Sequence, residues 1–162
     1  MLIRISKDPS GNSILCIRKD GTFTRSSAGP SLPHHDLAHY AVETCLGMKN
    51  GFYGMIEQGY DIAHLSDKNI IKTLGPETWL AEIVTRALQS HSSGACTSEQ
   101  FAQLIALELN ERHAQLPSDF SEKSLSEMAA IFRNLLLRWK EVPEGGFLVL
   151  SFETLRTLVE SE

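Results

Sequence analysis

The sequence has few cysteines, no long apolar run and no cluster of basic residues. Its three cysteines, Cys16, Cys45 and Cys96, are widely spaced and form no CxxC pair, which argues against an oxidised secreted scaffold. No apolar run approaches the roughly 20 residues that cross a bilayer. Residues 1–5 alternate with charge instead of forming a signal segment. We therefore expect a cytoplasmic protein that does not enter a membrane.

The charge balance argues against a general nucleic-acid binder. The chain carries 15 Lys and Arg against 20 Asp and Glu, a net charge of −5, and its basic residues are scattered. Apolar residues make up 42% and charged residues 22% of the 162 positions, as in ordinary folded proteins. A chain of this length and composition predicts one domain, residues 1–162, with its own apolar core.

Periodicity predicts an α+β fold. Residues 1–30 read as a β-meander, with Asp20-Gly21 as a two-residue hairpin turn. Residues 33–142 read as mostly helical. The dense apolar run at 146–152 predicts a strand that returns to pair with the meander and is buried inside the sheet. The expected architecture is a small antiparallel sheet covered on one side by about five helices.

Start and stop signals divide the helical part. Pro33 opens a first helix that runs to about Gly47, and a short glycine-bearing helix follows at 51–59. Further helices are predicted at 76–90, at 97–115 with Thr97 and Gln100 as a capping box, and at 124–142. Gly51, Gly54 and Gly59 lack the Lys-Ser/Thr ending of a phosphate loop, so they predict close approach of neighbouring backbone.

Reactive side chains cluster only at the start of the first helix. His35 and His39 stand one helical turn apart, about 6 Å along the axis, a separation at which two imidazoles can hold one metal ion. With Asp36 between them, the pattern resembles the HExxH helix of zinc proteases, in which the acid activates water. The candidate site is therefore a divalent metal such as zinc on His35 and His39, with Asp36 or Glu43 as base.

Several observations favour a structural role for the same residues. Asp36 is one methylene shorter than the glutamate of the protease motif, and the positive end of the helix dipole opposes a dication. A third ligand is missing, because Glu43 lies about 12 Å along the axis from His35. His64, His91 or His113 could complete a site in space. Alternatively, His39 pairs with Glu43 across one turn, and His35 is a boundary residue or bonds the preceding loop through Nδ1.

Part of the chain resembles a group of small uncharacterised bacterial proteins. Those proteins share an LPHDLxHYxVE…LGLxxGFWG pattern after an N-terminal hairpin, which corresponds here to residues 32–43 and 46–54. They end with a Trp-containing helix and a Pro-x-Gly-Gly-x-Leu strand, matched by Trp139 and residues 143–148. This chain departs by its doubled histidine, His34-His35, and by Tyr53 where the group usually has Trp. The resemblance implies the same organisation and leaves function open.

Two functional hypotheses follow. The favoured one is a non-catalytic interaction or oligomerisation module, in which an exposed sheet edge or the Phe52-Tyr53 region forms a homo-oligomer contact. The alternative is a metal-dependent hydrolase that uses the His35-Asp36-x-x-His39 helix. No particular small-molecule ligand is indicated.

Overall fold

The structure, a computed structural model, describes residues 1–29, 32–67, 70, 73–112, 115–118 and 120–153. Within these ranges the chain forms four strands and six helices, which confirms the α+β prediction. In chain order the elements are β1 (Leu2–Ser6), β2 (Asn12–Ile17), β3 (Phe23–Ala28), α1 (Leu32–Leu46), α2 (Phe52–Glu57), α3 (Ile62–Leu65), α4 (Pro76–Ser92), α5 (Ser98–Arg112), α6 (Glu122–Glu141) and β4 (Phe147–Ser151).

The strands form one antiparallel sheet in the order β3-β2-β1-β4. Ile3 pairs with Cys16 on one side and with Leu150 on the other, so the returning strand joins the meander as predicted. Period-two alternation turns Ile3, Ile5 and Cys16 toward the helices, where each is 0% exposed. The side chains that alternate with them point to the opposite face of the sheet, where several apolar ones are exposed.

The turn between β2 and β3 is wider than the two-residue hairpin that the sequence predicts. Arg18 N–H donates to the carbonyl of Thr22 at 2.8 Å, which leaves three residues between them. Gly21 has a φ of +86°, a left-handed conformation that suits a three-residue hairpin loop. The Asp20 carboxylate accepts a hydrogen bond from Thr22 N–H at 2.9 Å and fixes the turn.

The returning strand lies at an edge of the sheet, which corrects the prediction that it is buried inside. Its burial alternates: Leu148 and Leu150 are buried, whereas Phe147 is 51% and Val149 40% exposed. The apolar run is therefore buried on one face only. On the other face, the Arg4 guanidinium lies 4.1 Å from the centroid of the Phe147 ring.

α1 is the central helix and packs against α4 and α6. Its apolar face consists of four residues that are each 0% exposed: Leu37, Ala38, Ala41 and Val42. The predicted first helix is confirmed to within one residue at each end. No helix in the described part of the chain has the length and apolar character needed to cross a membrane.

α2 folds back against α1 directly after a tight connection. Gly47 has a φ of +62°, and Met48 N–H donates to the Glu43 carbonyl at 3.0 Å, so α1 ends with a left-handed glycine. The Tyr53 hydroxyl then donates to the Asp36 carbonyl at 3.2 Å. Because Tyr53 is 0% exposed, it belongs to the core and is not the surface aromatic that the self-contact hypothesis requires.

Candidate metal centre

His35 and His39 face each other on one side of α1. Their Nε2 atoms are 3.1 Å apart, and the rings meet edge to face with centroids 4.6 Å apart. The side chain of His39 is only 3% exposed, whereas that of His35 is 33% exposed. The adjacent His34 is exposed and takes no part in this contact, so His35 and not His34 faces His39.

Glu82 on α4 supplies the third group that the sequence lacked. One of its carboxylate oxygens lies 3.1 Å from His39 Nε2, and the other lies 3.7 Å from His35 Nε2. When one ligand atom is taken from each of His35, His39 and Glu82, the three atoms all lie within 4.8 Å of one another. The packing of α1 against α4 thus brings together residues that are far apart in sequence.

Glu82 and Gln89 are the site residues that sequence reasoning missed. They lie two helical turns apart on one side of α4, which turns both toward α1. The only sequence signal is that polar side chains occur next to the apolar stripe of this helix, and polarity alone does not identify a partner.

Of the other histidines, His91 contacts the Cys96 carbonyl and His64 is exposed. His113 lies outside the described residues.

The inner side of His39 is fixed by Glu43, as the sequence predicts for residues four apart. Glu43 Oε1 accepts a hydrogen bond from His39 Nδ1 at 3.1 Å. Glu43 Oε2 accepts from the backbone N–H groups of Tyr53 at 2.9 Å and Gly54 at 3.2 Å. Both oxygens of this buried carboxylate therefore have protein donors, as buried polar groups require.

His35 is oriented by an amide. Its Nδ1 lies 3.1 Å from Gln89 Oε1, and because an amide oxygen only accepts, His35 carries a proton on Nδ1 and presents Nε2 as an acceptor. The alternative that Nδ1 bonds the preceding loop is wrong; its partner is on α4. Both histidines thus use Nδ1 for support and direct Nε2 toward Glu82.

Electrostatics differ sharply between the two rings. Burial lowers the pKa of His35, and the neighbouring His39 lowers it further. Burial would also lower the pKa of His39, but hydrogen bonds with Glu43 and Glu82 outweigh it and raise that pKa to about 10. Partial burial would raise the pKa of Glu82, but its hydrogen bond with His39 and the charges of His39, His35 and Arg86 together outweigh burial and lower that pKa. Without a metal, one proton on His39 Nε2 therefore lies among the three groups.

Asp36 lies beside this cluster and faces the core. It is 8% exposed, and burial raises its pKa to about 6, against the effect of the His39 charge. The charge of Asp36 acts on Cys16 and Tyr53, both on the inner side of the helix. Asp36 is not one of the three residues whose ligand atoms converge.

The geometry fits one divalent ion. Two donor atoms bound to a tetrahedral zinc at 2.0–2.1 Å lie about 3.3 Å apart. The two Nε2 atoms are 3.1 Å apart, close to that spacing, and with one Glu82 oxygen the three ligand atoms lie within 4.8 Å of one another. Comparisons with models of protein families, with curated proteins and with solved structures find no match. The resemblance drawn from the sequence therefore stays a prediction, and function is inferred from the geometry.

Proposed function

We propose that this protein binds one divalent metal ion through His35, His39 and Glu82 and uses it for hydrolysis. The observation that carries the proposal is the convergence of three ligand atoms, from two helices, within 4.8 Å of one another. Two imidazoles and one carboxylate are the protein ligands of several catalytic zinc sites. The same set also suits other divalent first-row metals, so zinc is one candidate among them.

The support around the ligands strengthens the proposal. Metal-bound histidines almost always donate their second ring nitrogen to a carboxylate or carbonyl, which fixes the tautomer and the ring orientation. Glu43 does this for His39 and Gln89 does it for His35, each at 3.1 Å.

The exposure of the site favours a catalytic centre over a closed structural one. His35 and Glu82 are each about one-third exposed, so one side of the cluster is open to solvent. Catalytic zinc sites have three protein ligands and leave a further position for water, whose pKa the ion lowers to about 7. Glu43 has both oxygens engaged and is 1% exposed, so the geometry favours it as a positioning group and not as a base.

Metal analysis tests the proposal directly. We expect tag-free protein, purified without chelator or incubated with zinc, manganese or iron, to hold close to one equivalent of metal by elemental analysis. The double variant His35→Ala/His39→Ala should lose the metal and keep its far-UV circular dichroism. His34→Ala removes an exposed neighbour on the same helix and should retain the metal. Wild-type protein that binds none of these ions would contradict the proposal.

Hydrolysis requires a separate assay. Metal-loaded protein is tested against chromogenic carboxyl esters, phosphate esters and peptide amides, and Glu82→Gln serves as the ligand-deficient control. Turnover that depends on both the added metal and Glu82 supports the hydrolase. Stoichiometric metal without turnover on any of the three classes would limit the proposal to metal binding.

A second candidate is the interaction module, and the open face of the sheet favours it. Four apolar side chains on that face are well exposed: Leu2 at 42%, Phe23 at 63%, Val149 at 40% and Phe147 at 51%. Exposed apolar side chains grouped on one face often mark a contact with another protein. Light scattering tests whether this face mediates self-association. A wild-type dimer that Val149→Lys converts to a monomer would support self-association. A wild-type protein that stays monomeric at high concentration would contradict it.

We also propose that the protein resides in a reducing compartment. All three cysteines are free thiols. Cys16 is fully buried, and burial, with the nearby Asp36 charge, raises its pKa to about 12. A thiol in this state is a poor nucleophile, so we assign Cys16 to the core and not to the chemistry.

A further inference from the structure

The glycines of the Gly51-Phe52-Tyr53-Gly54 segment supply no ligand atom to the proposed metal site. Gly51 precedes α2 as its N-cap residue, with φ −75° and ψ −176°. Any residue can adopt this extended conformation, so backbone freedom does not explain a glycine here. The reason must be space.

The space next to Gly51 is occupied by the Glu43 carboxylate. A Cβ added to Gly51 would lie 2.4 Å from Glu43 Cδ and 2.5 Å from Glu43 Oε2. Real Cβ atoms essentially never come so close to another heavy atom, so a side chain at Gly51 would displace the carboxylate. The Glu43 side chain is 0% exposed and has no solvent into which it can move.

The carboxylate also takes the place of the missing capping side chain. An N-cap Ser or Asp normally accepts from the N–H groups two or three residues further on. Gly51 cannot do so, and Glu43 Oε2 accepts those bonds from Tyr53 and Gly54 instead. The other oxygen of the same carboxylate holds His39 Nδ1. A shift of Glu43 therefore moves the ring of a metal ligand.

We propose that Gly51 is a positioning residue of the metal centre, acting through Glu43 on His39. The inference rests on the proposed metal site and extends it from α1 and α4 to the start of α2. The absence of a side chain at Gly51 lets one carboxylate cap α2 and orient the imidazole at the same time.

Cobalt binding tests this role, with Gly75→Ala as a matched control. Gly75 is the N-cap of α4 with φ −70° and ψ 173°, and a Cβ added there meets nothing within 4 Å. Wild type, Gly51→Ala and Gly75→Ala are titrated with Co²⁺ while the visible d–d absorption is recorded. We expect Gly51→Ala to weaken Co²⁺ binding by about 10- to 100-fold, the usual effect of losing a partner of a ligand. The d–d band should also change. Gly75→Ala should match wild type in both readouts.

A double-variant cycle separates this route from a general loss of stability. Glu43→Ala removes Cγ, Cδ and Oε2, the three atoms nearest to a Cβ added at Gly51. We expect Gly51→Ala to cost less Co²⁺ affinity in the Glu43→Ala background than in wild type. Gly51→Ala should also lower the free energy of unfolding less in that background than in wild type.

The outcomes are distinct. If wild type binds no Co²⁺, the proposed function fails. If wild type binds Co²⁺ and Gly51→Ala binds it equally well with an unchanged band, the positioning role is overturned. Equal losses of Co²⁺ affinity and of stability in both backgrounds would likewise overturn it, because the methyl group would then not act through Glu43.

Discussion

Glu43 and Glu82 contact opposite nitrogens of the same imidazole, yet their surroundings differ. Glu43 lies on the same helix as His39, its side chain is 0% exposed, and its second oxygen accepts two backbone N–H groups. Glu82 approaches from another helix, and its side chain is 34% exposed. One carboxylate is held by the protein on every side, whereas the other has access to solvent.

In the proposed metal site, burial and not residue type therefore separates the supporting carboxylate, Glu43, from the proposed ligand, Glu82. Removing a buried acceptor leaves its donors without partners, which is costly in any state of the protein. A partly exposed carboxylate keeps contact with water when its partner changes, and water screens its charge. Substitutions at the two glutamates should therefore affect different quantities.

The largest expected effect is on stability at the inner carboxylate. Glu43→Ala leaves His39 Nδ1 and the N–H groups of Tyr53 and Gly54 without an acceptor in a buried position. We expect the free energy of unfolding of metal-free protein to fall by about 3 to 5 kcal/mol, measured by urea denaturation. Glu141→Ala, on the exposed end of α6, should change it by less than about 0.5 kcal/mol. Equal effects of the two variants would show that the buried hydrogen bonds of Glu43 do not stabilise the fold.

The outer carboxylate should govern metal binding instead. Glu82→Gln keeps the size of the side chain and removes the charge of a ligand oxygen, so zinc affinity should fall by more than about 100-fold in competition with a chelating dye. Because Glu82 is one-third exposed, the unfolding free energy of metal-free protein should change by less than about 1 kcal/mol. Retention of wild-type affinity would show that Glu82 is not a ligand.

The smallest expected effect is at the partner of His35. Gln89→Ala removes the acceptor for Nδ1 of a partly exposed ring, and zinc affinity should fall by about 10-fold in the same titration. Gln89→Glu keeps an acceptor at that position and should retain the affinity. A loss with Gln89→Glu as large as that with Gln89→Ala would mean that the amide does not orient the ring.

Most of the fold could be predicted from the sequence because its signals are local. Alternation in Leu2–Ser6, the Asp20-Gly21 turn and the capping residues each act over a few positions, and the elements they predict are present. The position of β4 was harder to predict. A dense apolar run suggests burial on both faces, but the exposure of β4 alternates, as it does in the central strand β1, because one face of the sheet is open to solvent.

Part of the candidate site could also be predicted, because its signals are local. His35, His39 and Glu43 share one helix, and helical geometry alone brings the pairs four apart into contact. Glu82 and Gln89 reach the histidines only because α4 packs against α1. The periodicity of each helix identifies its buried face but does not specify which two faces meet.

The sheet register has a consequence for the order in which this molecule folds. The contacts of Glu43 with His39 and Tyr53 span four and ten residues, and closing such short loops costs little chain entropy. Ile3, by contrast, pairs with Leu150, so forming the β1–β4 ladder closes a loop that spans nearly the whole described chain. Pairings over such sequence distances are slow to form. The α1–α2 corner can therefore nucleate early, while the sheet is completed last.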